Sequence, residues 1–86
     1  MIVKYTLGLL QAGRFSIETT APRVPVQGDF LQPFSGASGE RIVSVTLPLT
    51  GEKPVICVVS AVDIKDTAFR GQYESNLVKA GWRKWR

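Results

Sequence analysis

The segment Pro54-Val-Ile-Cys-Val-Val-Ser-Ala-Val-Asp-Ile64 is the most informative about the fold, because it is apolar on both faces of an extended chain. Side chains alternate between the two faces of a strand, so the apolar ones form two rows: Val55, Cys57, Val59 and Ala61 in the first, and Ile56, Val58, Val62 and Ile64 in the second. This pattern predicts the central strand of a sheet with a second layer packed over it. We expect that layer to be the closed wall of a small barrel, a helix or a partner subunit.

A hairpin is predicted at the start of the chain. Residues 2–10 and 15–20 both alternate between apolar and polar side chains, which is typical of half-buried strands. The turn between them contains Gly13, which can take the positive φ that tight turns require. These two segments therefore pair in an antiparallel manner.

Two further strands are predicted between the hairpin and the central strand. Residues 41–49 alternate again, although Pro48 argues for a strand end or bulge there. Residues 29–32 allow a short strand, and the small, polar segment 33–39 predicts a surface loop.

The remaining segment predicts one helix. Phe69, Tyr73 and Leu77 recur at four-residue intervals, and Asp66 or Thr67 could cap the helix start. Because Gly71 interrupts the pattern, we expect the helix to begin near residue 72 and to end at Gly81.

These elements predict a mainly β fold, in which about five strands form a small barrel or a curved antiparallel sheet with one short C-terminal helix. An α+β layer arrangement is the alternative. With 86 residues, the chain has the length of one domain. We place a single β-rich domain at residues 1–81 and a basic, tryptophan-containing tail at residues 82–86.

The positive charge of the chain is concentrated near its C-terminal end. Residues 1–78 contain seven basic and seven acidic side chains, so this part is neutral. The net charge of +4 comes from Lys79, Arg83, Lys84 and Arg86. A polyanionic partner is therefore expected to bind near these residues.

The composition argues against several classes of function. The chain has no histidine, which excludes the commonest general base, Ser-His-Asp and Cys-His arrangements, and histidine-bearing metal sites. Its single cysteine, Cys57, lies among apolar residues and is expected to be a buried thiol. We predict no enzyme activity, no catalytic residue, no cofactor and no metal site.

We also predict no membrane association and a cytoplasmic location, because no apolar run is long enough to span a bilayer and no leader pattern is recognisable.

The candidate site lies at the C-terminal end, where two tryptophans alternate with cations. It comprises Lys79, Trp82, Arg83, Lys84, Trp85 and Arg86. Cations bind phosphates and indole rings stack on unpaired bases, so this pattern predicts a module that binds nucleic acid, possibly single-stranded.

Two alternatives remain open for the tryptophans. They could close the core as a lid, with the cations as a solvated fringe. They could also bind a protein, because tryptophan and arginine are enriched at interface hot spots. The chain would then be a protein–protein interaction module, such as an assembly subunit or a small inhibitor of a larger protein machine, using the tail or loop 33–39. A homodimer that covers the exposed side of residues 54–64 is a further prediction.

Overall fold

The computed structural model describes residues 1–50 and 53–85. These residues form six β-strands and one α-helix. In chain order the elements are β1 (Ile2–Leu9), β2 (Gly13–Thr20), β3 (Phe30–Leu31), β4 (Glu40–Thr46), β5 (Val55–Val62), α1 (Thr67–Lys79) and β6 (Arg83–Lys84).

The six strands form one mixed sheet in the order β3-β4-β5-β1-β2-β6. The two central strands, β1 and β5, run parallel, and every other neighbouring pair is antiparallel. The prediction of a mainly β fold with one short helix is confirmed. The sheet has one strand more than the predicted number of about five, because β6 adds a strand. The prediction of an antiparallel sheet is wrong, because the β1–β5 pair is parallel.

The sheet is not closed into a barrel. β3 and β6 lie at its two edges, and no pairing joins them within the described parts of the chain. Each edge strand has only two residues and so offers few backbone groups for further pairing. The barrel prediction is therefore not confirmed, and the arrangement is an open sheet with a helix on one side.

The hairpin is confirmed by the register of β1 and β2. Ile2 pairs with Thr20 at one end and Leu9 with Gly13 at the other. Gly13 has φ 105°, a value that glycine adopts without the steric cost other residues incur. This turn fixes which side chains of the two strands share a face.

Helix α1 starts earlier than the sequence pattern predicted. The carboxylate of Asp66 accepts hydrogen bonds from the backbone N–H groups of Ala68 (2.9 Å) and Phe69 (3.1 Å), which caps the helix before Thr67. Gly71 does not interrupt the helix, and a Cβ at this position would meet no atom within 4 Å. The predicted start near residue 72 is therefore wrong, because Gly71 lies on the exposed side of an otherwise well-capped helix.

The C-terminal end of α1 turns the chain back toward the sheet. Gly81 has φ 105°, and the backbone N–H of Trp82 donates to the carbonyl oxygen of Leu77 at 3.0 Å. This is the hydrogen bond of a Schellman motif, which ends many helices at a glycine. It leads the chain directly into β6, so residues 82–85 belong to the folded domain and do not form a tail that leaves it.

Only one face of the sheet is covered by α1. Leu77 of the helix is buried against Leu7, Phe15 and Val59 of the sheet. A second cluster, comprising Val3, Ile42, Val55 and Cys57, continues the core along the same face. We call this side the covered face and the opposite side the open face.

The central strand β5 is not buried on both faces as predicted. Val58 on the open face remains 37% exposed. In addition, Leu7 pairs with Val59 but Leu9 pairs with Val62, so β5 contains one extra residue. Such a bulge places Val62 on the same face as Val59, contrary to the simple alternation read from the sequence. The predicted second layer is a helix, and among the described residues it lies on one side only.

Candidate binding surface on the open face

The last residues of the chain alternate between the two faces of the sheet. Arg83 pairs with Ser16, and Lys84 pairs with Phe15, which is buried on the covered face. Directly paired residues lie on the same face, so Lys84 belongs to the covered face and Arg83 to the open face. By the same alternation, Trp82 lies on the covered face and Trp85 lies on the open face.

Trp82 is part of the core. It is 4% exposed and packs in the same cluster as Leu77 and Phe15. Its indole Nε1–H donates to the carbonyl oxygen of Pro33 at 2.9 Å, which joins β6 to loop 33–39. Because its ring faces are enclosed, Trp82 cannot stack on a base. The expectation that it does so is wrong, and the lid alternative describes its position.

Trp85 lies on the open face and remains accessible. Its backbone N–H donates to the carbonyl oxygen of Arg14 at 2.7 Å, which extends the pairing with β2 by one residue. The side chain is 42% exposed. The ammonium nitrogen of Lys4 lies 5.3 Å from the centre of the indole ring, a distance at which a cation–π attraction helps to orient the ring.

A groove of about 670 Å³ crosses the open face beside Trp85. Trp85 and Arg14 line it on the β2 side, and Val43 lines it on the β4 side. Gly8 contributes to its floor, where the missing side chain leaves room above β1. The remaining lining residues are mostly apolar or small and include Thr6, Leu10, Ile56, Val58 and Ala61. The groove therefore offers an apolar floor with an aromatic wall.

Three cations surround Trp85 on the open face. Arg14 pairs with Gly8, Lys4 pairs with Glu18, and Arg83 lies in the next strand. The carboxylate of Glu18, which pairs with Lys4, lies on the same face and offsets part of this positive charge. Lys4 and Arg14 were not among the predicted site residues. The predicted alternation of residues 2–10 places Lys4 opposite the buried residues of β1, whereas Arg14 was expected in the turn and lies in β2.

The other predicted cations do not join this site. Lys79 lies in the last turn of α1, which packs over the covered face. Lys84 donates to Glu74 of α1 at 3.0 Å, so its charge is offset on the covered side. Arg86 lies outside the described residues. Of the predicted site, the structure therefore brings Arg83 and Trp85 together on the open face.

The clearest pKa shifts belong to groups on or beside the covered face. Burial raises the pKa of the Tyr5 hydroxyl and of the Cys57 thiol. Burial, together with the negative charge of Glu40, raises the pKa of Tyr73 to about 12. The pKa of Glu40 itself is raised by burial. Cys57 is fully buried and stays a neutral thiol, which makes it a poor nucleophile.

The chain gave no match in comparisons with protein-family models, curated proteins and solved structures. Within residues 1–50 and 53–85, no group of three or more histidine, cysteine, aspartate or glutamate side chains could hold a metal ion. No helix in the described part is long and apolar enough to cross a membrane.

Proposed function

We propose that this protein is a non-catalytic module that binds single-stranded nucleic acid on the open face of its sheet. Trp85 stacks on a base at the edge of the groove, while Lys4, Arg14 and Arg83 neutralise phosphates. The observation that supports this most is the exposed indole held among three cations, on a face that no described element covers. Open sheets with an aromatic platform and nearby cations suit this kind of binding.

The shape of the groove favours single strands over duplexes. Its floor is apolar, with Ile56 and Val58 on one side and Gly8 on the other. Unpaired bases present flat, apolar faces that can enter such a groove, whereas a duplex hides these faces within its stack. Arg14 lines the groove, and Lys4 and Arg83 lie near Trp85 at one side of it. These three cations do not form the broad basic surface that would suit a duplex backbone.

The proposal is tested by fluorescence anisotropy with a labelled single-stranded oligonucleotide. Replacing Trp85 by alanine removes the stacking surface and should weaken binding by about 5- to 150-fold, which corresponds to roughly 1–3 kcal/mol. With three phosphate contacts, the logarithm of the affinity should fall with that of the salt concentration with a slope of roughly −2. Absence of binding at low salt, or full affinity in the W85A variant, would refute the proposal.

Two variants test whether binding depends on cations of the open face or on the positive charge of the protein in general. Arg83→Ala and Lys79→Ala each remove one exposed cation, but only Arg83 lies on the open face. We expect R83A to weaken binding several-fold and K79A to leave it within about twofold, because exposed charges at a distance are screened by salt. Equal losses would indicate nonspecific attraction to the protein as a whole.

A third variant fills the groove without changing any charge. A Cβ added to Gly8 would lie 4.0 Å from the Cβ of Ala61, an ordinary contact, so Gly8→Val should be accepted by the strand. Its side chain would occupy the floor and weaken binding, although Trp85 and the cations remain in place. Unchanged affinity in G8V would show that the groove does not receive a base.

A second candidate function is protein–protein interaction through the apolar part of the same face. Val43 and Val58 are exposed, and Ile56 and Leu10 lie beside them along the groove. Contiguous exposed apolar surface often marks a protein interface. A second copy of the chain, giving the predicted homodimer, or a larger protein machine would then cover it. The predicted cytoplasmic location is compatible with either function.

Sedimentation equilibrium distinguishes this candidate from the first. A homodimer through the open face should dissociate on dilution and should be lost in Val58→Lys, which places a charge in the middle of the apolar patch. A monomer at all concentrations, together with oligonucleotide binding, would favour the nucleic-acid function.

A further inference from the structure

A second hollow lies at the β2–β6 edge of the sheet, between side chains of the open face and Ile17 and Gly81 of the covered side. It has a volume of about 490 Å³ and is lined by Lys4, Ser16, Ile17, Glu18, Gly81 and Arg83. Lys4 connects the two spaces, because its ammonium group lies over the ring of Trp85 while its side chain lines the hollow. Arg83 precedes Trp85 by two residues on the same face. A nucleotide whose base stacks on Trp85 would therefore have its sugar and phosphate near this hollow.

The hollow contains a carboxylate between two cations. Glu18 is paired with Lys4 in the register of β1 and β2, and Arg83 is paired with the neighbouring Ser16. Glu18 is exposed, and it forms no ion pair with another described residue, whereas Arg23 pairs with Asp29 and Lys84 with Glu74. A site for phosphate alone would be weakened by this negative charge, since like charges repel. The carboxylate instead suits a ligand that also carries a hydrogen-bond donor.

We infer that the hollow recognises the ribose of RNA, with the Glu18 carboxylate accepting a hydrogen bond from the 2′-hydroxyl. Lys4 and Arg83 hold the adjacent phosphates, and the hydroxyl of Ser16 offers a second polar contact to the sugar. The 2′-hydroxyl is the group by which a protein distinguishes RNA from DNA. This inference rests on the proposed function and assigns RNA as the class of nucleic acid that the open face prefers.

The test compares three labelled oligonucleotides of about 12 nucleotides, a length within the range of small single-strand binding sites. They are oligo-uridine, oligo-deoxyuridine and 2′-O-methyl oligo-uridine, so the base is constant and only the 2′ position changes. We expect the wild-type protein to bind the ribose form roughly five- to tenfold more tightly than either other form, as one charge-assisted hydrogen bond allows.

The Glu18 variants show whether this carboxylate causes the preference. Glu18→Ala should abolish it, and should bind the deoxy form more tightly than wild type because a repulsive charge is gone. Glu18→Gln keeps an acceptor oxygen and should retain part of the preference. Asp63→Ala removes an exposed carboxylate that does not line the hollow and should leave the ratio of the two affinities unchanged.

The ratio of the affinities for the ribose and deoxy forms tests the preference for RNA independently of single-strand binding. Equal affinity of the wild type for the ribose and deoxy forms, or an unchanged ratio in E18A, would overturn the assignment of RNA while leaving single-strand binding in place. Absence of binding to all three oligonucleotides would overturn both.

Discussion

Trp82 and Trp85 are three positions apart in a basic segment, yet they have opposite environments. Trp82 is enclosed by the core, and its indole N–H is bonded to Pro33, whereas Trp85 is 42% exposed and has Lys4 beside its ring. The difference arises because the short strand β6 directs successive side chains to opposite faces. The covered face therefore contains the packing that stabilises the fold, whereas the open face leaves an aromatic ring accessible.

The two cations of β6 also lie on opposite faces of the sheet. Lys84 points to the covered face and bonds Glu74 of the helix, while Arg83 points to the open face beside Ser16 and Lys4. A count of charges along the sequence treats the two residues as equivalent. Their positions in the sheet predict different roles, which substitutions can separate.

The largest expected effect is the loss of stability on truncating Trp82. Trp82→Ala removes a buried aromatic side chain and should lower the free energy of unfolding by about 3–5 kcal/mol. Trp85→Ala should lower it by less than about 1 kcal/mol, since it removes an exposed ring and one cation–π contact. Urea denaturation of both variants measures this difference. Equal destabilisation by the two substitutions would contradict the assignment of Trp82 to the core and of Trp85 to the surface.

A smaller effect is expected at Lys84. Lys84→Ala breaks a partly exposed ion pair and should cost at most about 1 kcal/mol of stability, with little change in oligonucleotide affinity. Arg83→Ala should do the reverse, leaving stability nearly unchanged and reducing the slope of the salt dependence by about 0.7. If K84A weakens binding as much as R83A does, the assignment of the two cations to different faces has no functional meaning.

The smallest effect concerns Glu40 and pH. Because burial raises its folded-state pKa above the unfolded value, the ionised carboxylate destabilises the fold at pH values above the folded pKa. Glu40→Gln should therefore raise the free energy of unfolding at pH 7 by less than about 0.5 kcal/mol, since solvent screens a half-buried group. This gain should vanish as the pH falls through the folded pKa toward the unfolded value. Thermal unfolding of both proteins at pH 7 and pH 4 measures it, and a lower stability of E40Q at pH 7 would contradict the prediction.

Local patterns predicted the hairpin and the central strand because their causes are local. Alternation and Gly13 define β1 and β2, and the apolar run defines β5. The bulge in β5 and the parallel pairing of β1 with β5 depend on contacts between distant segments, so alternation within one strand could not reveal them. The same holds for the open face, which exists because α1 covers only one side.

The candidate site was predicted in part for similar reasons. Trp85 and Arg83 were found because aromatic and basic residues stand together in the sequence. Lys4 and Arg14 come from the other end of the chain and join them only through the pairing of β2 with β6. The exclusion of Trp82 required the fold, because a two-residue strand has too short an alternation to be recognised in a sequence.

The most direct test of whether the open face alone binds nucleic acid is a nuclear magnetic resonance titration with single-stranded oligo-uridine. It follows the two indole N–H signals of the ¹⁵N-labelled wild-type protein. A Trp85→Phe sample removes one of the two signals and so assigns both. We expect the Trp85 signal to shift progressively to saturation. The signal of Trp82, whose indole N–H donates to the carbonyl oxygen of Pro33, should stay in place. A shift of the Trp82 signal alone, or no shift of either signal at an excess of oligonucleotide, would refute binding through the open face.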